Sequence, residues 1–140
     1  MKLNLLDILR CPFCGSTLTL EEGDSLERCG DEVESGIIFC QCSAYPVVAS
    51  IPILTADYLA DEARQHLAEG RREEALFTML GLTEETRQAA FRSFIEKGGE
   101  ASYQEGVEVL CPDAEGTYFI YRFSDPTFVV GSTLLDEMGD

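Results

Sequence analysis

Two cysteines separated by two residues stand in the stretch Cys11-Pro12-Phe13-Cys14-Gly15. A tight turn of this kind lets both sulfurs point at one metal ion, and a glycine directly after it adopts a positive φ at little cost. A second pair, Cys40-Gln41-Cys42, follows the apolar run 37–39. Two pairs with a loop between them predict a four-thiolate zinc site in a ribbon of short antiparallel strands, with the ligands Cys11, Cys14, Cys40 and Cys42.

The details of this site leave alternatives open. Cys29 lies in the polar loop between the pairs without a partner at knuckle spacing, so we expect a free thiol, although it could replace Cys40 or Cys42 as a ligand. Cys111 precedes a proline in an acidic stretch and is expected to be packed or exposed. Iron in a rubredoxin-like site is the alternative to zinc. A four-thiolate site has no open coordination position, so the predicted metal is structural.

Composition excludes several classes of protein. The chain has 140 residues, of which 45% are apolar, and this is material for one domain or a small domain with an extension. Its 26 acidic and 10 basic side chains give a formal charge of −16, so we expect no direct nucleic-acid binding, which depends on clustered Lys and Arg. The apolar runs, such as 47–49 and 118–121, are too short to span a membrane. Residues 1–10 do not read as a signal peptide, so a cytoplasmic, reducing location is expected, which favours metal over disulfides.

The pattern changes twice along the chain. Residues 1–54 form the predicted zinc-ribbon domain, with a first helical turn near 3–9. Residues 55–99 have helical periodicity and predict a helical hairpin or trio. The first helix is expected from a Thr55 cap to about Glu69, and the second from Arg71 to Leu80 with Gly81 as the stop. The third is expected after a Thr83 cap, with an apolar face of Phe91, Phe94 and Ile95.

Residues 100–140 lose the helical pattern and predict a short β-rich segment. The β-type stretches are 107–110, 117–123 and 127–130. The predicted fold class is therefore α+β, with a small ribbon of short antiparallel strands followed by helices and then this segment.

Motifs that would indicate catalysis are missing. The sequence has no Gly-rich nucleotide loop, no zinc-protease motif and no nucleophile elbow. His66 is the only histidine, and it is expected on a solvated helix face. We therefore predict no catalytic residue and no cofactor-binding residue in this chain.

Two stretches carry a resemblance to a known family. They are 5–15, with a Leu-rich turn before the first cysteine pair, and 36–54, with the second pair followed by Tyr45-Pro46 and Ile51-Pro52. The sequence resembles the zinc-ribbon family of the tRNA methyltransferase activator subunit. The resemblance implies that Cys11, Cys14, Cys40 and Cys42 are zinc ligands. Two departures concern the local turns: one spacer residue in the second pair, and Ser50 where the family usually has glycine.

The same ribbon occurs at the N-terminus of S-adenosylmethionine-dependent methyltransferases. Residues 118–128 and 134–139 look similar to what precedes the first Rossmann strand of such enzymes. The resemblance implies a non-catalytic accessory region that leads toward a methyltransferase domain beyond residue 140, and S-adenosylmethionine would bind only in that domain. The alternative is a free-standing adaptor that activates a separate methyltransferase subunit. The expected partner is thus a methyltransferase domain or subunit, and the apolar helical faces also suit a homo-dimer.

Overall fold

A computed structural model of the protein describes residues 1–110. The elements within this range are the 3₁₀ turn Leu3–Asp7, the strands β1 (Thr19–Leu20), β2 (Glu27–Cys29), β3 (Glu32–Phe39), β4 (Ala44–Val48) and β5 (Ile51–Pro52), the helices α1 (Tyr58–Ala68), α2 (Arg72–Leu80) and α3 (Glu85–Glu96), the 3₁₀ turn Gly98–Glu100, and the helix α4 (Tyr103–Leu110). Strands followed by helices confirm the predicted α+β class.

The strands form one antiparallel sheet. Its order is β1-β3-β4-β5, and β2 pairs with the first half of β3. The central pair is a hairpin in which Phe39 lies opposite Ala44, so the loop between β3 and β4 is the four-residue segment 40–43. This segment contains the second cysteine pair, which therefore follows a strand as predicted.

The β3 strand contains one extra residue. Glu27 pairs with Ser35 and Arg28 pairs with Val33, so Glu34 has no partner on β2. An unpaired residue of this kind is a β-bulge, and it reverses the alternation of side chains along the strand. Val33 consequently packs on one face of the sheet, whereas Ser35 and Ile37 face the helices on the other.

Both faces of the sheet are covered. One face packs against the N-terminal segment and the first cysteine knuckle in a cluster of Met1, Cys11, Leu18, Val33, Ile38, Tyr45 and Val47. The other packs against α1 and α2 in a cluster of Ile37, Val48, Ala63, Leu67 and Ala75. Burial on both sides explains why the centre of β3 and all of β4 read as continuous apolar runs.

The turn between β4 and β5 has an unusual backbone. Ala49 and Ser50 have φ of 47° and 64°, the left-handed region that a two-residue hairpin turn requires at both positions. Neither is glycine, so both hold a conformation that their side chains disfavour. The Ser50 N–H donates to the carbonyl of the bulge residue Glu34 at 2.8 Å, which fixes the turn against β3.

The first helix begins two residues later than the sequence pattern suggests. The Asp57 carboxylate accepts a hydrogen bond from the Ala60 N–H at 2.9 Å, so Asp57 is the cap, and the Thr55 cap was wrong. The apolar face of α1 has its first buried residue at Ala60, and a cap three residues before it matches the usual spacing. The helix ends at Ala68, close to the predicted Glu69.

The α2 helix is tied to the sheet by one side chain. Arg72 donates from Nε to the Ser35 hydroxyl at 3.0 Å, and the same nitrogen lies 3.0 Å from the Glu27 carboxylate. The helix stops at Gly81, which has φ of 65° and accommodates the left-handed C-cap as predicted.

The chain divides into two compact units, Met1–Gly81 and Leu82–Asp140. In the second, Glu84 occupies the N-cap of α3 without a side-chain cap bond, so the Thr83 cap was also wrong. Phe91 is buried, but Ile95 is 57% exposed and does not share that buried face.

The α4 helix corrects the strand predicted at 107–110. Ser102 and Glu105 form a capping box: the Ser102 N–H donates to the Glu105 carboxylate at 2.9 Å, and the Glu105 N–H donates to the Ser102 hydroxyl at 3.2 Å. The helix packs closely on α3, since a Cβ at Gly106 would lie 3.0 Å from the Phe94 ring. The β-type stretches predicted at 117–123 and 127–130 lie outside the described residues.

None of the helices in the described residues 1–110 has the length and hydropathy of a membrane-spanning segment.

Candidate metal centre

The four predicted ligands converge at one end of the sheet. The Sγ atoms of Cys11, Cys14, Cys40 and Cys42 all lie within 4.8 Å of one another. The separation is 3.5 Å between Cys11 and Cys42, 3.5 Å between Cys40 and Cys42, and 3.8 Å between Cys14 and Cys40. The cysteine pairs, 26 residues apart in sequence, therefore present their sulfurs to one common point.

The first knuckle is a tight turn held by its own backbone. The Gly15 N–H donates to the Cys11 carbonyl, and the Cys11 N–H donates to the Ser16 carbonyl, both at 2.9 Å. Gly15 has φ of 71°, which confirms its predicted conformation. The turn reverses the direction of the chain within a few residues, so the sulfurs of Cys11 and Cys14 lie on the same side of the turn.

The second knuckle is the hairpin loop itself. The Cys40 N–H donates to the Ser43 carbonyl at 2.9 Å and closes the four-residue connection between β3 and β4. In so short a loop, one residue between the cysteines is enough for both sulfurs to face the first knuckle. The single spacer residue is thus a consequence of the hairpin geometry.

The spacing of the sulfurs fits a tetrahedral metal. Zinc binds thiolate at about 2.3 Å, and in a regular tetrahedron this separates neighbouring sulfurs by about 3.8 Å. Three of the six separations, at 3.5, 3.5 and 3.8 Å, are close to this value, and the other three are within 4.8 Å. They also exceed the S–S bond of about 2.05 Å, so none of these pairs is a disulfide. Four soft sulfur donors in this arrangement suit zinc or iron and do not suit a hard cation such as Mg²⁺.

Polar groups beside the first knuckle favour the thiolate form. Burial raises the pKa of Cys11, but hydrogen bonds from the Tyr45 hydroxyl and from the backbone of Cys14 and Phe13 outweigh this and lower the pKa to about 5. The Tyr45 oxygen lies 3.0 Å from Cys11 Sγ, and since Cys11 ionises first, the hydroxyl donates. The Ser16 hydroxyl, 2.9 Å from Cys14 Sγ, lowers the pKa of Cys14 in the same way.

In the second knuckle, the Cys42 thiol holds its proton more strongly than an ordinary cysteine. Hydrogen bonds to the sulfurs of Cys14, Cys11 and Cys40 raise the pKa of the Cys42 thiol to about 12. A proton therefore stays among the crowded sulfurs, where it relieves the repulsion of several thiolates at close range. A bound divalent cation would serve the same purpose and displace this proton.

The ligand cluster is buried on one side only. Cys11 is 2% exposed and belongs to the apolar cluster between the sheet and the N-terminal segment, whereas Cys14 and Cys42 are exposed. Tyr45 is fully buried, and burial raises its pKa, so its hydroxyl remains a donor. The sequence pattern does not reveal this contact, and its only signal is the position of Tyr45 in β4, three residues after Cys42.

The other candidate residues lie apart from the cluster. Cys29 is exposed at the end of β2 and is not among the clustered thiols of the described residues. Cys111 lies outside the described residues. The solvated position expected for His66 was wrong, because its side chain is only 16% exposed and its Nδ1 atom is buried. His66 is adjacent to Leu67 and three residues from Ala63, so it lies on the flank of the buried face of α1.

No protein-family model, curated protein or solved structure matches this chain.

Proposed function

We propose that Cys11, Cys14, Cys40 and Cys42 bind one zinc ion as thiolates and that this ion holds the ribbon together. The observation that carries the proposal is the convergence of four sulfurs within 4.8 Å from two separate turns. Four protein ligands leave no coordination position for water or substrate, so the role is structural and not catalytic. Structural zinc in small fingers contributes apparent binding free energies of about 10–16 kcal/mol, which would make the metal a major source of stability for the ribbon.

Metal analysis of ligand variants tests this proposal. The purified chain is expected to contain one zinc per molecule, and Cys40→Ser or Cys42→Ser should each lose it. Cys29→Ser is the matched control, because Cys29 is an exposed thiol outside the cluster. Loss of zinc in the control, or its retention in both ligand variants, would contradict the assignment. Iron in place of zinc would appear as a visible thiolate-to-iron absorption band.

We further propose that the zinc ribbon is an accessory region of an S-adenosylmethionine-dependent methyltransferase. The resemblance of residues 5–15 and 36–54 to the activator-subunit family supports this role. In this form of the proposal, S-adenosylmethionine binds in a domain that follows residue 140. The second candidate is a free-standing adaptor that binds and activates a separate methyltransferase subunit, and the same resemblance supports it.

Photochemical labelling distinguishes the two forms. An affinity-tagged chain is isolated from its own cells under mild conditions and irradiated with radiolabelled S-adenosylmethionine. Label on the polypeptide that carries the ribbon supports the accessory region, and label on a separate co-purified polypeptide supports the adaptor. Absence of label from both would refute the link to methyl transfer, while zinc content in the same sample reports separately on the metal site.

A further inference from the structure

A groove lies between α1 and the sheet within the first unit. Its volume is about 580 Å³, and it is broadly open to solvent, so it suits a peptide segment lying across it better than an enclosed small molecule. One wall is a stripe of α1 at helical spacing, formed by Asp61, Arg64, Gln65 and Ala68 together with the neighbouring Glu62. Glu21 lines the opposite wall, and Ile37 and Ala44 line the floor.

Small side chains keep this groove open. Ala68 at the end of α1 and Ala44 at the start of β4 leave space above Ile37, which is only 6% exposed. The Glu21 N–H donates to the Ile37 carbonyl at 2.8 Å, which holds Glu21 beside β3. The groove therefore has an apolar floor with carboxylates on both walls.

The charge of the groove is unbalanced. Arg64 donates to Asp61 at 2.8 Å, so these two side chains neutralise each other. Among residues 1–110, no lysine or arginine lies within salt-bridge distance of Glu21, nor of Glu62, whose carboxylate is 3.8 Å from the His66 ring. Glu21 thus has no basic partner among residues 1–110, and Glu62 has only the His66 ring, in a chain with a net charge of −16.

We propose that this groove binds a basic segment of a partner protein that presents two lysine or arginine side chains and an apolar one. The cationic side chains pair with Glu21 and Glu62, and the apolar side chain contacts Ile37, Ala44 and Ala68. Complementary charge on opposing surfaces sets orientation and speeds association. The proposal rests on the accessory or adaptor role above and assigns the surface that such a partner uses.

The probe is a labelled hexapeptide of alternating arginine and leucine, titrated by fluorescence anisotropy into the full zinc-loaded chain. We expect Glu21→Gln combined with Glu62→Gln to raise the Kd about tenfold at low salt, as for the loss of two partly exposed ion pairs. The control pair, Glu22→Gln with Glu74→Gln, removes the same net charge outside the groove and should leave the Kd within about twofold. Equal weakening in both pairs, or in neither, refutes the proposal, since a chain of this charge attracts any cation non-specifically.

Two further arms test the apolar floor and the class of ligand. Ala68→Phe fills the groove from an exposed position without changing charge, and it should abolish peptide binding while the melting temperature is retained. A peptide with serine in place of leucine should bind more weakly than the original, and equal binding would overturn the role of the floor. Spermidine that binds as tightly as the peptide would assign the groove to a free polyamine and overturn the proposal. The titration involves no methyltransferase, so its failure leaves the labelling and zinc experiments to decide the proposed function.

Discussion

Replacing Tyr45 by phenylalanine removes one hydroxyl from the interior of the ribbon and changes almost nothing else in shape. This hydroxyl donates to Cys11 Sγ at 3.0 Å, and the two residues are 0% and 2% exposed. Hydrogen bonds to charged groups contribute about 1.5–3 kcal/mol, and partners beside a metal ligand typically change affinity by about 10- to 100-fold. We therefore expect Tyr45→Phe to weaken zinc binding by about 10- to 100-fold, because the Cys11 thiolate loses its donor.

Competition with a chromophoric zinc chelator at pH 7.4 measures this change directly. Tyr58→Phe is the matched control, because Tyr58 is 77% exposed at the start of α1 and its hydroxyl should not affect the metal. Circular dichroism of the zinc-loaded variants verifies that each is folded before titration. A Kd for Tyr45→Phe within about threefold of the wild-type value would refute the argument that the buried hydroxyl supports the thiolate.

The remaining predictions concern stability. Leu67→Ala should lower the free energy of unfolding by about 2–5 kcal/mol in urea denaturation, because Leu67 is fully buried, whereas Ile95→Ala at an exposed site should change it by at most about 0.5 kcal/mol. Gly81→Ala should cost about 1–2 kcal/mol because φ is 65°, and Gly99→Ala, with open space and no positive φ, should be nearly neutral in the same assay. The Lys97 side chain and then Ser102 lower the pKa of Glu105 from 4.5 to about 2. The ionised Glu105 carboxylate therefore stabilises the fold fully above about pH 4.5, and this stabilisation disappears as the pH falls through 2. Glu105→Gln should therefore reduce helical circular dichroism at pH 6 and match the wild type near pH 1.5, and a difference that persists at pH 1.5 would contradict this.

The cysteine cluster could be predicted because its information is local. Two residues between Cys11 and Cys14, with Gly15 behind them, already specify a turn that presents both sulfurs together. To predict that both cysteine pairs belong to one site, it was enough to expect a strand before Cys40, and the apolar run 37–39 indicated that strand. What the pattern could not supply was Tyr45, since its contact with Cys11 depends on how β4 lies over the first knuckle.

The errors in the helical region have a common physical origin. Thr55 and Asp57 are both good caps, and only the position of the buried residue Ala60 selects between them. The stretch 107–110 contains two valines, which favour a strand, but the capping box of Ser102 and Glu105 starts a helix before it. Local propensity was outweighed by a motif upstream and by packing on α3.

The extra residue at Glu34 has a consequence for evolutionary comparison. One unpaired residue inverts which side chains of the preceding half-strand face inward and which face outward. In a relative that lacks this residue, the apolar positions at and before residue 33 would be shifted by one, whereas those of 35–39 would still align. A correct alignment of two such chains would therefore place a single-residue gap inside a strand, where gaps are ordinarily penalised most. Profiles that confine insertions to loops would misalign Val33 and the strand before it, and the shared ancestry of the cysteine knuckles would be harder to detect.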